Sequence, residues 1–292
     1  MGKKSFLFDW RNAIKNVNNG SIGNDIVLLD QPVITPDLKY PFRVDVTSVI
    51  ICLKGRTRGT INLKKNEING PSLIVLLRDS VLQLEEVSDD FTALFIVMSP
   101  NFLNSLNIDE KIPAFLSIKK TPFIALQKEE LDSLIDYYKM MQRIITYKDN
   151  PYQMNIARHL TIAFFYGVGY GFHLREQVNV NNNKSRYDKL FDDFLYLVQK
   201  HFKDERSLDF YANKLCLSSK HLSKVIRENS GKSPVEWIKE FVVQNAQALL
   251  KSSDLTIQQI SDELNFPSQS FFGKYFKNAV GISPKNYRES KD

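Results

Sequence analysis

The chain has 292 residues, of which 43% are hydrophobic and 25% are charged, values that are ordinary for globular protein and allow two domains. The longest apolar run has about 13 residues, which excludes a membrane-spanning helix of roughly 18. The net charge is +6, and residues 184–292 hold +4 of it, which favours an anionic partner. The two cysteines, Cys52 and Cys216, predict free thiols in a reducing compartment. With no signal peptide at the start, we expect a cytoplasmic protein without a membrane partner.

The first third of the chain is predicted to be rich in β-strands. Turn residues such as Asn69-Gly70-Pro71 separate runs of β-branched and apolar residues, which are residues 46–53, 59–63, 72–77, 81–86 and 91–98. Short strands at this spacing are typical of a small barrel or sandwich. Residues 1–127 are therefore assigned to a β-rich sensor or regulatory domain.

Helical periodicity begins at Lys128. Residues 128–147 carry apolar side chains at a period near 3.6, and Pro151 starts a second predicted helix that runs to about residue 166. These helices could pack back on the β-domain or pair with a second copy of the chain, so residues 128–176 are interpreted as a dimerisation or connector segment. Residues 177–185 are predicted to be a linker, because Asn is a poor residue for propagating a helix.

Residues 186–292 are predicted to be entirely helical. Two capping boxes support this assignment, one from Ser233 to Glu236 with Pro234 at the first helical position, and one from Thr256 to Gln259. The predicted helices cover residues 187–202, 208–215, 219–229, 234–250, 256–264, 268–278 and a short segment after 283.

This helical region contains the same unit twice. Gly231-Lys232-Ser233-Pro234 reappears 50 positions later as Gly281-Ile282-Ser283-Pro284. Each copy also has a small residue where two helices would cross, followed by an apolar residue that would fill the turn; these pairs are Ala212 with Leu217, and Ser261 with Phe266. The pattern predicts helix-turn-helix units at about 207–230 and 256–279, and a pair of them suits two adjacent grooves of one DNA duplex.

The second unit and the residues after it follow a specific pattern, carried by Ile257, Ile260, Ser261, Leu264, Asn265, Phe266, Ser270, Phe271, Phe272, Lys274, Phe276, Lys277, Gly281, Ile282, Ser283, Pro284, Tyr287 and Arg288. This pattern closely resembles the signature of AraC/XylS-family transcription regulators. The resemblance covers about residues 187–288 and implies a seven-helix DNA-binding domain with two helix-turn-helix units. It also implies an α+β multidomain chain, in which a small β-barrel or cupin-like domain and two helices come first. The implied partners are double-stranded DNA, a small-molecule effector, RNA polymerase and a second copy of the chain.

Two positions depart from the family pattern. Asn265 stands where the family usually has Gly, and since Asn tolerates the left-handed conformation we expect the turn to survive. Lys274 stands where the family often has Arg. Lysine lacks the fork that reads guanine, which makes phosphate contact there better supported than base reading.

Side chains that face away from the core on the two recognition helices are the candidates for contacting DNA: Ser219, Lys220, Ser223 and Lys224 on the first, and Ser268, Gln269, Ser270 and Lys274 on the second. Gln269 suits adenine, and Ser219 and Ser268 suit phosphates at helix N-termini. The alternative for each is an ordinary solvated surface residue. Lys277 and Arg288 could likewise contact phosphate or be merely solvated.

Enzyme chemistry is not predicted. The four histidines lie outside the strand region, which argues against a cupin-type metal site, and no cofactor motif is complete. Cys52 in a strand and Cys216 in the core of a turn are interpreted as inert. The glycines at 167, 169 and 171 are expected to end a helix or allow close packing.

Two hypotheses follow. In the first, the chain is a sequence-specific DNA-binding regulator whose N-terminal domain binds an effector, dimerises, or does both. In the second, it is a non-catalytic ligand-binding or interaction module whose helices contact protein. Five apolar residues could line an effector site, although ordinary core is the favoured interpretation of most of them: Phe42, Ile50, Leu53, Leu76 and Phe95.

Overall fold

A computed structural model describes residues 20–30, 40–107, 118, 121–181 and 186–290. Its strands are β1 (Ser21–Ile22), β2 (Ile26–Leu29), β3 (Phe42–Arg43), β4 (Thr47–Lys54), β5 (Arg56–Ile61), β6 (Lys64–Asn69), β7 (Ser72–Leu76), β8 (Val81–Val87), β9 (Thr92–Met98) and β10 (Phe123–Ala125). Its helices are α1 (Pro100–Ser105), α2 (Lys128–Thr146), α3 (Gln153–Asn181), α4 (Arg186–His201), α5 (Leu208–Lys214), α6 (Ser219–Ser230), α7 (Pro234–Ser252), α8 (Ile257–Glu263), α9 (Gln269–Val280) and α10 (Pro284–Glu289). The sheet-rich N-terminal region and the helical C-terminal region confirm the α+β class.

The strands form two antiparallel sheets. One has the order β1-β2-β9-β4-β7-β10 and the other the order β3-β8-β5-β6. The larger sheet is buried on both faces, since Val49 and Ile51 belong to the core shared with α2 and α3, while Ile74 and Leu76 face the smaller sheet. Two buried faces explain why its strands are apolar nearly throughout.

The two sheets form a sandwich, and the expected closed barrel is not observed. Among the described strands no ladder connects one sheet to the other. The predicted strand at 59–63 is also wrong at its end, because the chain turns at Asn62 and Leu63, whose φ angles are +50° and +69°, and returns as β6. Two consecutive positive φ angles belong to a tight hairpin turn, which usually carries Asn-Gly, so the sequence gives little sign of it.

Helices α2 and α3 cover the outer face of the larger sheet. The predicted first helix is confirmed, and its Tyr137 ring stacks on Phe164 of α3 with 4.7 Å between centroids. Among the described residues, no helix combines the length and apolarity that crossing a membrane would require.

Helix α3 is longer than predicted. It continues through the three glycines and into the Asn-rich stretch as far as Asn181, so the helix end near 166 and the non-helical start of the linker are both wrong; residues 182–185 lie outside the described part. Each glycine costs about 1 kcal/mol in a helix interior. Burial of Phe165 and Val168 against the core offsets that cost, and adding residues to a nucleated helix is inexpensive.

Seven helices, α4 to α10, account for residues 186–289 within the described part, as predicted. Their common core is aromatic and includes Phe194, Phe241, Phe272 and Phe276, each almost fully buried. Helix α7 is the central element of this region, because α4, α6, α8, α9 and α10 all pack on it. The opposite side of α7 packs against β3 and β8 of the smaller sheet.

Candidate nucleic-acid interface

The two predicted helix-turn-helix units have the same backbone hydrogen bonds. In the first, the amide of Leu217 donates to the carbonyl of Ala212 over 2.9 Å. In the second, Phe266 and Ser261 form the equivalent bond, also at 2.9 Å. Ala212 and Ser261 are fully buried where the helices cross, as the sequence predicted. The repeat is therefore a duplicated three-dimensional unit.

Each turn passes through one residue in the left-handed conformation. These residues are Cys216, with φ of +56°, and Asn265, with φ of +52°. The expectation that Asn265 preserves the turn is confirmed. Cys216 is exposed, so its assignment to the core of the turn is wrong; it holds a backbone position at the surface. Cys52 is buried, and burial raises the pKa of its thiol to about 11, consistent with the inert role predicted for it.

Each recognition helix begins at a serine cap and ends at a glycine. Ser218 caps α6 and Ser268 caps α9; their hydroxyls accept hydrogen bonds of 3.2 Å from the backbone N–H groups of His221 and Phe271, respectively. Gly231 and Gly281 end the two helices with φ of +73° and +88°, which only glycine adopts without strain. The two recognition helices therefore have the same length of 12 residues and the same type of cap at each end.

The inner faces of the recognition helices are buried as predicted. Leu222, Val225 and Ile226 hold α6 in the core, and Phe272 and Phe276 hold α9. This packing fixes which face of each helix is left for a partner.

The outer faces carry the predicted contact residues. Six of them are exposed: Lys220, Lys224, Ser268, Gln269, Ser270 and Lys274. The other two, Ser219 and Ser223, are half-buried, and the Ser219 hydroxyl donates to the carboxylate of Asp209. Ser219 is also the first residue of α6 and not its cap, and the Ser268 hydroxyl is already engaged as a cap. Phosphate binding by these two serines would therefore have to compete with intramolecular bonds.

The outer faces differ in charge. Lys224 lies 3.9 Å from Glu228 one turn later, whereas the matching residue after Lys274 is the neutral Asn278. Lys274 forms no ion pair with any residue in the described part of the chain. The second recognition helix therefore presents the less compensated cation.

Phe271 was not among the predicted contact residues. Its ring is 54% exposed, one position after Ser270 and on the flank of the outer face. A single exposed aromatic side chain is ordinary on a protein surface, so what makes Phe271 a candidate contact is its position beside the outer face. The signal available in the sequence was an aromatic residue at a position that the first unit fills with His221.

Two arginines have structural roles. Arg288, for which phosphate contact was one alternative, donates to the carbonyls of Leu250 and Leu255 and so attaches α10 to the end of α7. Arg206 donates to the carbonyl of Leu264 and lies 3.9 Å above the ring of Phe266. Arg206 thus braces the turn of the second unit. Lys277 is exposed on α9.

The described residues contain no group of three or more His, Cys, Asp or Glu side chains that could hold a metal ion. Helices α6 and α9 each present a cationic outer face, they are held by the same turn hydrogen bonds and caps, and α7 connects them. Such faces fit the major groove and phosphates of DNA.

The family model and the curated relatives support this interpretation. The model of the family described as "Helix-turn-helix domain" matches residues 211–290. The uncharacterised HTH-type transcriptional regulator YdeC of Bacillus subtilis is 22% identical over 249 residues, covering 84% of each chain. The HTH-type transcriptional activator RhaS of Escherichia coli is 26% identical over 116 residues, so that only 40% of each chain is covered. A solved structure, the C-terminal domain of AraT, a response regulator from Geobacillus stearothermophilus, is 30% identical with a TM-score of 0.33 and covers 37% of this chain and 95% of that one. With the family signature and both helix-turn-helix units in place, the chain belongs to the AraC/XylS family of transcriptional regulators.

Proposed function

We propose that the chain regulates transcription by placing α6 and α9 in successive major grooves of one DNA duplex, on one face and ~34 Å apart. The observation that carries this proposal is the duplication of the unit bond for bond, with both outer faces open among the described residues. Helix α7 would set the spacing, since it starts at a full capping box and packs on both units. The helices would then dock as one rigid body.

Different outer residues would have different roles. Gln269 and Ser270, on the first turn of α9, are proposed to read base edges, where Gln pairs well with adenine. Lys220, Lys224 and Lys274 are proposed to bind phosphates, which orients the protein and makes affinity depend on salt. Ser223 would add a hydrogen bond to the backbone of the duplex, whereas Ser219 and Ser268 would do so only in competition with their bonds to Asp209 and to the amide of Phe271.

Selection of duplexes from a random pool by the full chain tests the proposal. We expect an enriched site with two short conserved blocks about one helical turn apart. The double variant Lys224→Ala/Lys274→Ala should lose affinity for that site at least tenfold, and Lys128→Ala/Lys139→Ala, an equal charge change on α2, should not. Equal binding to all duplexes would instead favour the rival hypothesis, a module whose helices contact protein.

The N-terminal region is proposed to form a homodimer through α3. Its outer face carries exposed residues at steps of three or four, the spacing of a helix that pairs with another: Ile156, His159, Ala163, Tyr166, Tyr170 and Leu174. The opposite face is buried in the protein's own core. A second copy fits best, because a symmetric pair would bring the same apolar stripe from both chains together.

Analytical ultracentrifugation tests the dimer. Tyr166→Glu places a charge in the middle of the stripe, where the ring is 54% exposed, and should shift the chain towards monomer without unfolding it. Tyr147→Glu, at a tyrosine that lies just beyond α2 and is 66% exposed, is the control and should leave the dimer intact. A monomeric wild-type chain at micromolar concentration would contradict this part of the proposal.

The remaining assignments follow the same organisation. We assign effector sensing to the cupin-like, open sandwich within residues 1–127, connection and pairing to residues 128–176, and DNA binding to residues 186–292. Similarity to the family supports RNA polymerase as a further partner. A cytoplasmic location is proposed because the chain would bind chromosomal DNA and because its two thiols are free.

A further inference from the structure

Three cationic side chains from outside the second helix-turn-helix unit converge on its turn. Lys203, in the segment between α4 and α5, forms an ion pair with Glu263, the last residue of α8. Arg206, from the same segment, donates to the carbonyl of Leu264, the next residue along. The third cation, Arg43, belongs to β3 of the N-terminal region, and its Nη1 lies 3.7 Å from Oε1 of Glu263. The turn that leads into α9 is therefore held from two directions.

Arg43 is itself fixed within the smaller sheet. Its Nε donates to Oδ1 of Asp79 over 2.9 Å, and its side chain is only 20% exposed. Two backbone hydrogen bonds define this corner of the sheet: the amide of Val44 donates to the carbonyl of Ser80 over 2.9 Å, and the amide of Asp79 donates to the carbonyl of Val44 over 2.8 Å. Because β3 also packs on α7, the guanidinium reaches Glu263 from a position that is fixed relative to the helix between the two units.

The first helix-turn-helix unit has the opposite charge at the matching position. The residue that corresponds to Glu263 is Lys214, a cation that would repel Arg43. The ammonium of Lys214 lies instead 5.6 Å from the centre of the Phe210 ring, within the same helix. Residues 208–230 form no hydrogen bond or ion pair with a described residue of the N-terminal region. Within the described part of the chain, the ion pair with the N-terminal region thus distinguishes the second unit from the first.

Binding two grooves at once requires a fixed distance and angle between α6 and α9. Hydrogen bonds form at roughly 2.7–3.2 Å and are lost near ~3.6 Å, so a shift of α9 by less than ~1 Å is enough to break them. Helices α8 and α9 pack on α7 through apolar side chains, which give non-directional contacts. The ion pair at the end of α8 adds a directional restraint. Because the Glu263 side chain is 41% exposed, this pair contributes little to the stability of the fold, and an effect on orientation is measurable separately.

We propose that Arg43 is a positioning residue for DNA binding: its ion pair with Glu263 fixes the orientation of α9 relative to α6, and so determines which separation of the two grooves the chain accepts. This inference rests on the proposed function, since it concerns how the recognition helices are held while both bind one duplex. Arg43 contacts no DNA in this role. The N-terminal region thereby contributes to the choice of DNA site through geometry alone.

The tolerance of the full chain to altered spacing tests this role. Kd should be measured by fluorescence anisotropy for the selected duplex and for versions with one base pair added or removed between its two blocks. The wild-type chain should bind the altered spacings at least tenfold more weakly. Arg43→Gln, which removes the charge, should reduce this discrimination at least threefold, and Arg43→Lys, which keeps the charge, should retain more of it than Arg43→Gln does.

Arg58→Gln is the matched control. Arg58 lies in β5 of the same sheet, its side chain is 48% exposed, and it pairs with Glu86, so the variant loses the same charge and an ion pair elsewhere on the sheet. Its discrimination should equal that of the wild-type chain. Glu263→Gln removes the proposed contact from the other side and should also reduce discrimination, which keeps the test available if Arg43→Gln fails to fold. Adding Arg43→Gln to Glu263→Gln should cause no further reduction, because residues that act through one shared contact are not additive.

Four results would overturn the proposal. The first is discrimination in Arg43→Gln equal to that of the wild-type chain, and the second is additive effects of the two changes. The third is a loss by one common factor at every spacing, the result of a less stable fold. The fourth is a slope of log K against log salt that is reduced by ~0.9, which would assign Arg43 to a phosphate. A wild-type chain that prefers no duplex would instead contradict the proposed function, and this inference with it.

Discussion

Replacing Lys274 with alanine removes an ammonium group from the centre of the outer face of α9. The side chain is exposed and has no ion-pair partner among the described residues, and alanine is the better helix former. The free energy of unfolding should therefore change by less than about 0.5 kcal/mol. A loss of DNA affinity that exceeds this value must therefore come from a lost contact with DNA and not from a less stable fold.

The loss of DNA affinity depends on what Lys274 contacts. A base contact is worth about 1–3 kcal/mol, which is about 5- to 150-fold in Kd and would be confined to the selected site. A phosphate contact would weaken all duplexes alike and reduce the slope of log K against log salt by ~0.9. We expect the second outcome, because a lysine ammonium cannot form the paired bonds that read guanine.

Fluorescence anisotropy with the selected duplex and a scrambled one, at four salt concentrations, separates these cases. Lys224→Ala is the informative companion, since Glu228 lies 3.9 Å from its ammonium and already offsets part of the charge. Its loss should be smaller than that of Lys274→Ala. Lys139→Ala on α2 should have no effect. Unchanged affinity and salt slope for Lys274→Ala would refute the assignment of the outer face of α9 to DNA.

Other consequences can be measured on the same protein. Arg206→Ala should lower the free energy of unfolding by about 1.5–3 kcal/mol in urea titrations, because it removes a charged hydrogen bond to Leu264 and the contact with Phe266, whereas the exposed Arg227→Ala should cost under ~0.5 kcal/mol. Hydrogen bonds from Ser233 lower the pKa of Glu236 below its ordinary 4.5, so the carboxylate stabilises the fold above that value and loses its effect as pH falls through the lowered pKa; Glu236→Gln should flatten this part of the stability profile, and an unaltered profile would be the contrary result. Asn265→Ala should destabilise the second unit by about 1 kcal/mol, since its φ is +52°, while Asn265→Gly should be tolerated; equal stability of the two variants would argue against backbone strain. Phe271→Ala should weaken the selected site severalfold with little change in melting temperature, and a site without thymine should be insensitive to it.

The helical region could be predicted well because its signals are local. Ser233 with Glu236 and Thr256 with Gln259 form capping boxes in the structure, and helix starts within one or two residues of those predicted follow from them. The buried faces of α6 and α9 followed from the spacing of apolar residues. The sequence could not show which hydroxyls are already engaged within the protein; the hydroxyl of Ser219, for example, donates to the carboxylate of Asp209, ten residues away.

The N-terminal region was predicted less accurately for physical reasons. The turn of the β5–β6 hairpin has Leu63 at a positive φ, and leucine gives no turn signal in the sequence. Strand β6 is largely polar because one of its faces is turned outward, so it gives no clear strand signal. The end of α3 was missed because the burial of Val168, beyond the predicted end near residue 166, outweighs the low helix propensity of the glycines beside it. The apolar cavity of about 160 Å³ between the two sheets is lined by strands that are far apart in sequence, so composition alone cannot locate it.

The separation of the two recognition helices tests the central claim most directly. Affinity of the full chain should be measured for the selected duplex and for versions with 5 or 10 base pairs inserted between its two blocks. Because both helices are fixed to α7, five added base pairs put the second groove on the opposite face, and binding should fall at least a hundredfold; ten should restore the face but not the distance, and binding should stay weak. Equal affinity for all three duplexes would contradict rigid, simultaneous docking of α6 and α9.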